Sequence, residues 1–192
     1  MLEVNIKKGT NMIKLETERL IIRDHVEEDI HSLHKLISDE KVMYYLPEIK
    51  TNSLDESMEN LYEAIKESKL ENRTKYYFGI VLKDSNEYVG EIGYTVLIDS
   101  PEGKVVNLGY FILQNYWGKG FTSEATKEVI NYAFKQGDVI KVETGCIKDN
   151  AGSEKVMKSI GMIKEGEFKK HVLLNSRLYD RVEYGLLKEE WL

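Results

Sequence analysis

The clearest chemistry in the chain lies in Leu108 to Ala125, which reads LGYFILQNYWGKGFTSEA. An apolar run passes into a short polar loop, and Gly118, Lys119 and Gly120 then open a segment of helical periodicity. The first-turn N–H groups of such a helix have no intrahelical acceptor, and the helix dipole adds about half a positive charge there. Glycines let a phosphate approach the backbone and Lys119 brings a full charge, so the spacing fits an anion site as well as it fits an ordinary helix cap. Two commoner phosphate readers fail. No Gly-Lys pair in the chain is followed by Ser or Thr, as a P-loop requires. A dinucleotide-binding turn wants a third glycine where Ser123 stands, and the acid about twenty positions on, Asp138, precedes the next strand instead of ending it.

Other reactive residue types carry less. Cys146 is the single cysteine, which excludes an internal disulfide framework. Its place in a strand-like run makes it a small buried apolar residue rather than a nucleophile. His31 and His34, near Asp29, lack a clear third ligand and border an apolar stripe, so no metal is expected. Tyr44, Tyr45, Tyr62, Tyr76 and Tyr77 suit an amine-binding cleft, with core packing the default for most of them.

These residues need one domain to hold them. The chain has 192 residues, with Lys+Arg 27, Asp+Glu 33, a net charge of -6 and 42% hydrophobic content. A domain of this size buries roughly 70% of its unfolded surface without disulfide or metal staples. Neither repeats nor a linker interrupt it, and the only prolines, Pro47 and Pro101, fall in predicted loops. The expectation is an N-terminal tail over 1–14 and a single domain over 15–192. The first twenty residues hold no apolar run suited to a signal peptide, and the longest apolar stretch, Tyr76 to Leu82, is far short of the roughly 20 residues that span a bilayer. A cytoplasmic protein with neither membrane nor nucleic-acid partner is expected, its acidic balance favouring cationic partners.

Periodicity orders the elements. Leu20, Ile21 and Ile22 read as a strand, and Val26, Ile30, Leu33 and Ile37 as a helix. Ser53 and Glu56 stand at capping-box spacing before a second helix through Leu54, Met58, Leu61 and Ile65. Lys75 to Leu82, Glu87 to Leu97 and Val105 to Leu113 form a meander of strands, with a loop through Asp99, Ser100, Pro101 and Gly103. A helix through Phe121, Ala125, Val129 and Ala133 follows, predicted to stop at a left-handed Gly137. Val139 to Ile147 is a strand parallel to its predecessor, Asn150 caps a last helix ending at Gly161, and two strands flank Asn175 and Ser176. The result is an α/β (α+β) fold with a mixed sheet.

Several of these segments together resemble the GNAT acetyltransferases: Tyr116-Trp117-Gly118-Lys119-Gly120-Phe121-Thr122-Ser123-Glu124-Ala125, Asp149-Asn150-Ala151-Gly152-Ser153, and Lys158-Ser159-Ile160-Gly161-Met162. The opening Leu15-Glu16-Thr17-Glu18-Arg19-Leu20-Ile21-Ile22-Arg23 and closing Glu189-Glu190-Trp191 are similar to the branch of ribosomal-protein N-terminal (alanine/serine) acetyltransferases. The resemblance runs from about Leu15 to Leu192. It implies a mostly antiparallel sheet of about seven strands with about four flanking helices, acetyl-CoA as cosubstrate, and a primary amine as acceptor. That acceptor is a protein N-terminal α-amine, a polyamine or an aminoglycoside; a non-catalytic acyl-CoA-binding module is the alternative. Family members are often homodimers, and no feature of this sequence decides the point.

By the same resemblance, the diphosphate lies on Trp117, Gly118, Lys119, Gly120, Phe121 and Thr122. Trp117, Gly120 and Thr122 occupy the signature positions of Q/R-x-x-G-x-G/A, and Trp117 and Thr122 depart from it. Phe111, Ile112 and Leu113 offer backbone to the pantetheine arm, and the Ile112 N–H polarises the thioester carbonyl. Asn150 matches a residue that reaches that arm. Ser153 matches a proposed general acid, an inert first-turn serine being the alternative.

Many members of the branch place a carboxylate two residues before the central Gly-Tyr, where this chain has Asn107. Glu91 is the substitute base, unless it is merely a solvent-facing strand residue. The acceptor decides how much a base matters. An α-amine of pKa about 7.8 is roughly a tenth neutral at pH 7, whereas a lysine amine near 10.4 is neutral less than about one time in a thousand. Deprotonation costs about 1 kcal/mol in the first case and more than about 4 kcal/mol in the second.

Overall fold

The computed structural model describes residues 12–191. Its elements in chain order are β1 (Lys14–Glu16), β2 (Leu20–Asp24), α1 (Ile30–Ile37), α2 (Leu54–Ser68), β3 (Lys75–Leu82), β4 (Tyr88–Ser100), β5 (Gly103–Ile112), α3 (Phe121–Gln136), β6 (Val139–Ile147), α4 (Ala151–Ser159), β7 (Ile163–Leu174) and β8 (Arg177–Leu187). The strands form one sheet in the order β1-β2-β3-β4-β5-β6-β8-β7. Neighbours are antiparallel except β5 and β6, which are parallel and joined through α3.

The strand beyond the seven expected is β1, three residues that pair with β2 in the register Leu15↔Ile22 and are too short to show a period. The Ile13 N–H donates to Asp24 Oδ2 at 2.8 Å, so the chain is held from just before β1. Of the expected tail, 1–11 lies outside the described residues.

Alternation along the strands divides the core in two. Leu20, Ile22, Phe78, Ile80 and Ile92 pack with Val129 and Ile130 of α3 on one face. Val81 and Leu113 pack with Leu33, Ile37 and Leu61 of α1 and α2 on the other. Local signals place the helices. Ser53 Oγ accepts the Glu56 N–H at 3.2 Å, while the Glu56 carboxylate takes the Asn52 N–H at 2.7 Å, one residue earlier than a full capping box requires. Asn150 Oδ1 accepts the Ser153 N–H at 3.2 Å and Gly161 ends α4 at φ 87°. Gly137 is not left-handed as expected: its φ is -97°, and Asp138 makes the turn at φ 56°. A glycine is still needed at 137, because a Cβ there would lie 2.9 Å from the Ala133 carbonyl oxygen. The loop expected from Asp99 to Gly103 is tighter, since Asp99 and Ser100 belong to β4 and Gly103 to β5. Asn175 and Ser176, at φ 48° and 62°, form the two-residue turn that matches the twist of β7 and β8.

One departure from regular pairing matters for function. The ladder between β5 and β6 ends at Asn107↔Glu143, yet β5 stays paired with β4 out to Gly90↔Ile112, and β6 stays paired with β8 out to Ile147↔Arg181. The two parallel strands therefore diverge beyond Asn107, with the Thr144 hydroxyl on the Leu108 carbonyl at 2.7 Å where the next ladder bond would form.

Candidate active site

The diverging strands open a cavity of about 380 Å³, walled by β5, β6, the start of α4 and the loop between α1 and α2. Asn107, Phe111, Cys146, Asn150, Ser153 and Tyr45 all face it. Backbone direction within β5 follows from one bond: the Leu113 N–H donates to Val89 O of β4 at 2.9 Å. Successive backbone groups of a strand point to opposite sides, so the Ile112 N–H points away from β4, into the gap. The Ile112 carbonyl accepts the Trp117 indole N–H at 2.8 Å, which ties the end of β5 to the turn that follows. Of Phe111, Ile112 and Leu113, then, Ile112 is the residue whose N–H is presented to the gap, while Phe111 lends it a wall.

Gly118 and Gly120, at φ 72° and 80°, are both left-handed, a conformation that strains any residue with a Cβ. They bend the chain so that α3 starts at Phe121 with no side chain capping it. The first helical bond from this end is Glu124 N–H to Gly120 O at 3.0 Å, which leaves the N–H groups of Phe121, Thr122 and Ser123 without intrahelical acceptors. A Cβ at Gly118 would meet nothing within 4 Å, so the turn is open to a ligand. These features fit a diphosphate. Lys119 sits beside it, its Nζ 5.1 Å from the Tyr116 ring centroid.

An acid in the first turn of α3 would repel that anion, and Glu124 stands there. Its carboxylate is instead consumed by the β1–β2 connection: it accepts the Thr17 hydroxyl at 2.5 Å, the Arg19 N–H at 2.9 Å and Arg19 Nε at 2.6 Å. These bonds hold Glu124 below its ordinary pKa against the opposing effect of its burial. Arg19 also donates to the Lys119 carbonyl at 3.1 Å and lies 4.4 Å over the Phe121 ring. Arg19→Ala is expected to weaken coenzyme A by about tenfold, or about 1.4 kcal/mol. Calorimetry reads it, and an unchanged Kd would show that the turn needs no brace.

Across the gap, the Tyr110 hydroxyl donates to the Ser153 carbonyl at 3.0 Å and lies 3.1 Å from Ser153 Oγ. Burial raises the Tyr110 pKa far above its ordinary 10 despite the Ser153 bond, so the phenol keeps its proton. Tyr110 and Ser153 form a paired hydroxyl unit. Sequence reasoning passed over Tyr110 because its partner is 43 residues away. Asn150 spends its Oδ1 on the α4 cap and still faces the cavity, so cap and ligand contact are compatible. Burial raises the Cys146 thiol, which keeps it protonated and unsuited to nucleophilic attack.

Glu91 stands apart from this group. It projects from β4 on the α1/α2 face into an adjoining cavity of about 200 Å³, with Tyr77, Asn60 and Glu63. Glu48 and Ile49 wall both cavities, so one loop separates them. Behind Glu91 is a residue that sequence reasoning left unassigned, His25, with its Nε2 at 3.3 Å from Glu91 Oε2. His34 Nδ1 is 2.8 Å from Ser57 Oγ, and no group of three metal-ligand side chains occurs among the described residues.

Comparison with known proteins agrees with this geometry. Residues 19–163 match the family model of the acetyltransferase (GNAT) domain. The N-acetyltransferase p20 of Bacillus licheniformis, itself uncharacterized, is 31% identical over 94% of this chain and 99% of its own. A GNAT-family acetyltransferase structure from Bacillus anthracis superposes with a TM-score of 0.79 at 28% identity, covering 93% of this chain and all of that one. RimL, a ribosomal L7/L12 α-N-protein acetyltransferase solved with coenzyme A, shares the fold at a TM-score of 0.81 and 20% identity, over 93% and 99% of the two chains. The divergent parallel strands, the left-handed glycine turn and the family match together show that the chain belongs to the GNAT family of acetyl-CoA-dependent N-acetyltransferases.

Proposed function

We propose that this protein acetylates the α-amine of a protein or peptide N-terminus, drawing on acetyl-CoA in the cytoplasm. The observation that carries the reading is where the carboxylates stand: the position of the family's base is Asn107, Glu48 reaches the gap only from the loop between α1 and α2, and Glu91 stands in the next chamber beside His25. A base that acts from the next chamber, through water, suits an amine that is already about one-tenth neutral at pH 7. RimL, which shares the fold, acts on such an amine.

Acetyl-CoA supplies an activated acyl group and a thiolate leaving group whose free thiol has a pKa near 8.5. Everything else falls to the chain. The amides of Phe121 to Ser123 and the Gly118–Gly120 turn hold the diphosphate, and the gap along β5 receives the pantetheine arm. The Ile112 N–H points to where the carbonyl oxygen gains charge, and such preorganised donors are the largest single contribution in acyl transfer. Tyr110 and Ser153 lie on the α4 side and return a proton to the departing sulfur. Glu91 takes the proton of the acceptor ammonium, through water across the loop at Glu48 and Ile49.

The reading is tested by coenzyme A release with peptides beginning Ala, Ser or Thr beside spermidine. Peptide turnover with none on spermidine supports it; the reverse result replaces it with the small-amine reading, which Glu48, Glu63 and Glu91 around the adjoining chamber favour. Glu91 has its own test. A base matters most where the amine is protonated, so Glu91→Gln should lower turnover about 100-fold near pH 6.5 and progressively less above pH 8. A pH–rate profile identical to that of the wild type would remove Glu91 from the mechanism.

A further inference from the structure

The sheet holds a buried charged cluster just behind Glu91. Arg23 of β2 grips Asp29 with two bonds, Nη1 to Oδ2 and Nη2 to Oδ1, both at 2.7 Å, and Asp29 also accepts the Val26 N–H at 3.0 Å. Arg73, in the segment before β3, pairs with Asp24 of β2 at 2.7 Å. His25 lies between the two pairs with its side chain fully buried, Nδ1 at 3.5 Å from Asp29 Oδ2 and Nε2 at 3.3 Å from Glu91 Oε2. Glu27 and Lys69 share with His25 the wall of a cavity at the end of α2, and the Tyr88 ring centroid lies 6.1 Å from that of His25.

Charge balance singles out His25. Arg23 answers Asp29 and Arg73 answers Asp24, which among the described residues leaves Glu91 without a cation unless His25 carries one. We propose that His25 is the positioning residue of Glu91, an imidazolium that fixes one carboxylate oxygen from behind so that the other is presented to the acceptor chamber. The inference rests on the reading of Glu91 as proton acceptor. Burial opposes the charge on His25, but Asp29 and Glu91 outweigh it and push the pKa up to about 9. The sign follows from the raised value. The pairing is complete below the ordinary 6.5, persists through neutrality and is lost as pH rises through about 9.

Imidazole NMR of the intact enzyme and steady-state rates on a peptide acceptor test this together. In the wild type, the His25 ring should report imidazolium at pH 7, and Glu91→Gln should lower its midpoint by at least about one unit. His25→Gln should lower kcat by about the same factor as Glu91→Gln and leave KM for acetyl-CoA unchanged. The double variant should be no worse than either single one. A neutral His25 at pH 7, a midpoint indifferent to Glu91→Gln, or multiplying losses in the double variant would overturn the proposal. A merely structural histidine would lower Tm without producing the shared loss of kcat. Should the wild type acetylate no acceptor, the reading of Glu91 as proton acceptor fails and takes the catalytic role of His25 with it, while the NMR midpoints decide the ion pair by themselves.

Discussion

Ile112→Pro is expected to lower kcat by about 10²–10³-fold, or about 3–4 kcal/mol of barrier, while coenzyme A still binds. Proline removes the N–H that the proposed mechanism aims at the thioester carbonyl, and little else that the sheet uses. The Leu113 N–H, not that of Ile112, bonds to β4, and the ladder from β5 to β6 has already ended at Asn107. Proline is tolerated where a strand's N–H faces away from its neighbour. Ile112 is also a buried core residue, so packing needs a control. Ile112→Val keeps the N–H and trims one methylene, and it should retain nearly full turnover. Calorimetry with coenzyme A and circular dichroism separate a folded, binding, slow enzyme from a misfolded one. If the folded proline variant turns over at the wild-type rate, the oxyanion is stabilised elsewhere.

Gly120→Val is expected to raise the Kd for coenzyme A about 100-fold, or about 2.7 kcal/mol. At φ 80° a β-branched side chain is strained, and the backbone relieves that strain by rotating the residue on which α3 begins. The amides that follow then lose their common direction. Gly118→Ala is the milder companion, since its Cβ would meet nothing within 4 Å and only backbone strain of about 1–2 kcal/mol remains. Calorimetry on both variants should rank the valine well below the alanine. Equal affinities in all three proteins would mean that the diphosphate lies elsewhere.

Much of this architecture was legible in the sequence because the signals are local. The Gly118-Lys119-Gly120 turn, the Asn150 cap and the Asn175-Ser176 turn each lie within a few residues of the bonds they make. Three kinds of feature were not legible. Strand β1 is only three residues long, so it carries no period of its own and exists through its pairing with β2. Gly137 was misjudged because a glycine can serve a close contact as readily as a positive φ, and the residue alone does not say which. Tyr110 and His25 gain meaning through Ser153 and Glu91, each supplied by a distant element. The family resemblance could name candidates such as Glu91 and Ser153, but it could not say that they occupy two chambers separated by Glu48 and Ile49.

The Glu124 carboxylate has a wider consequence than quieting one charge. By accepting from Thr17, 107 residues earlier, it fastens the edge of the sheet to the helix that the proposed function assigns to the donor. With the donor on that helix, looseness in the first hairpin would reach the donor's seat, and a settled donor would in turn steady the outermost strands. An edge that looks like scaffolding is in this way part of the energetics of every turnover.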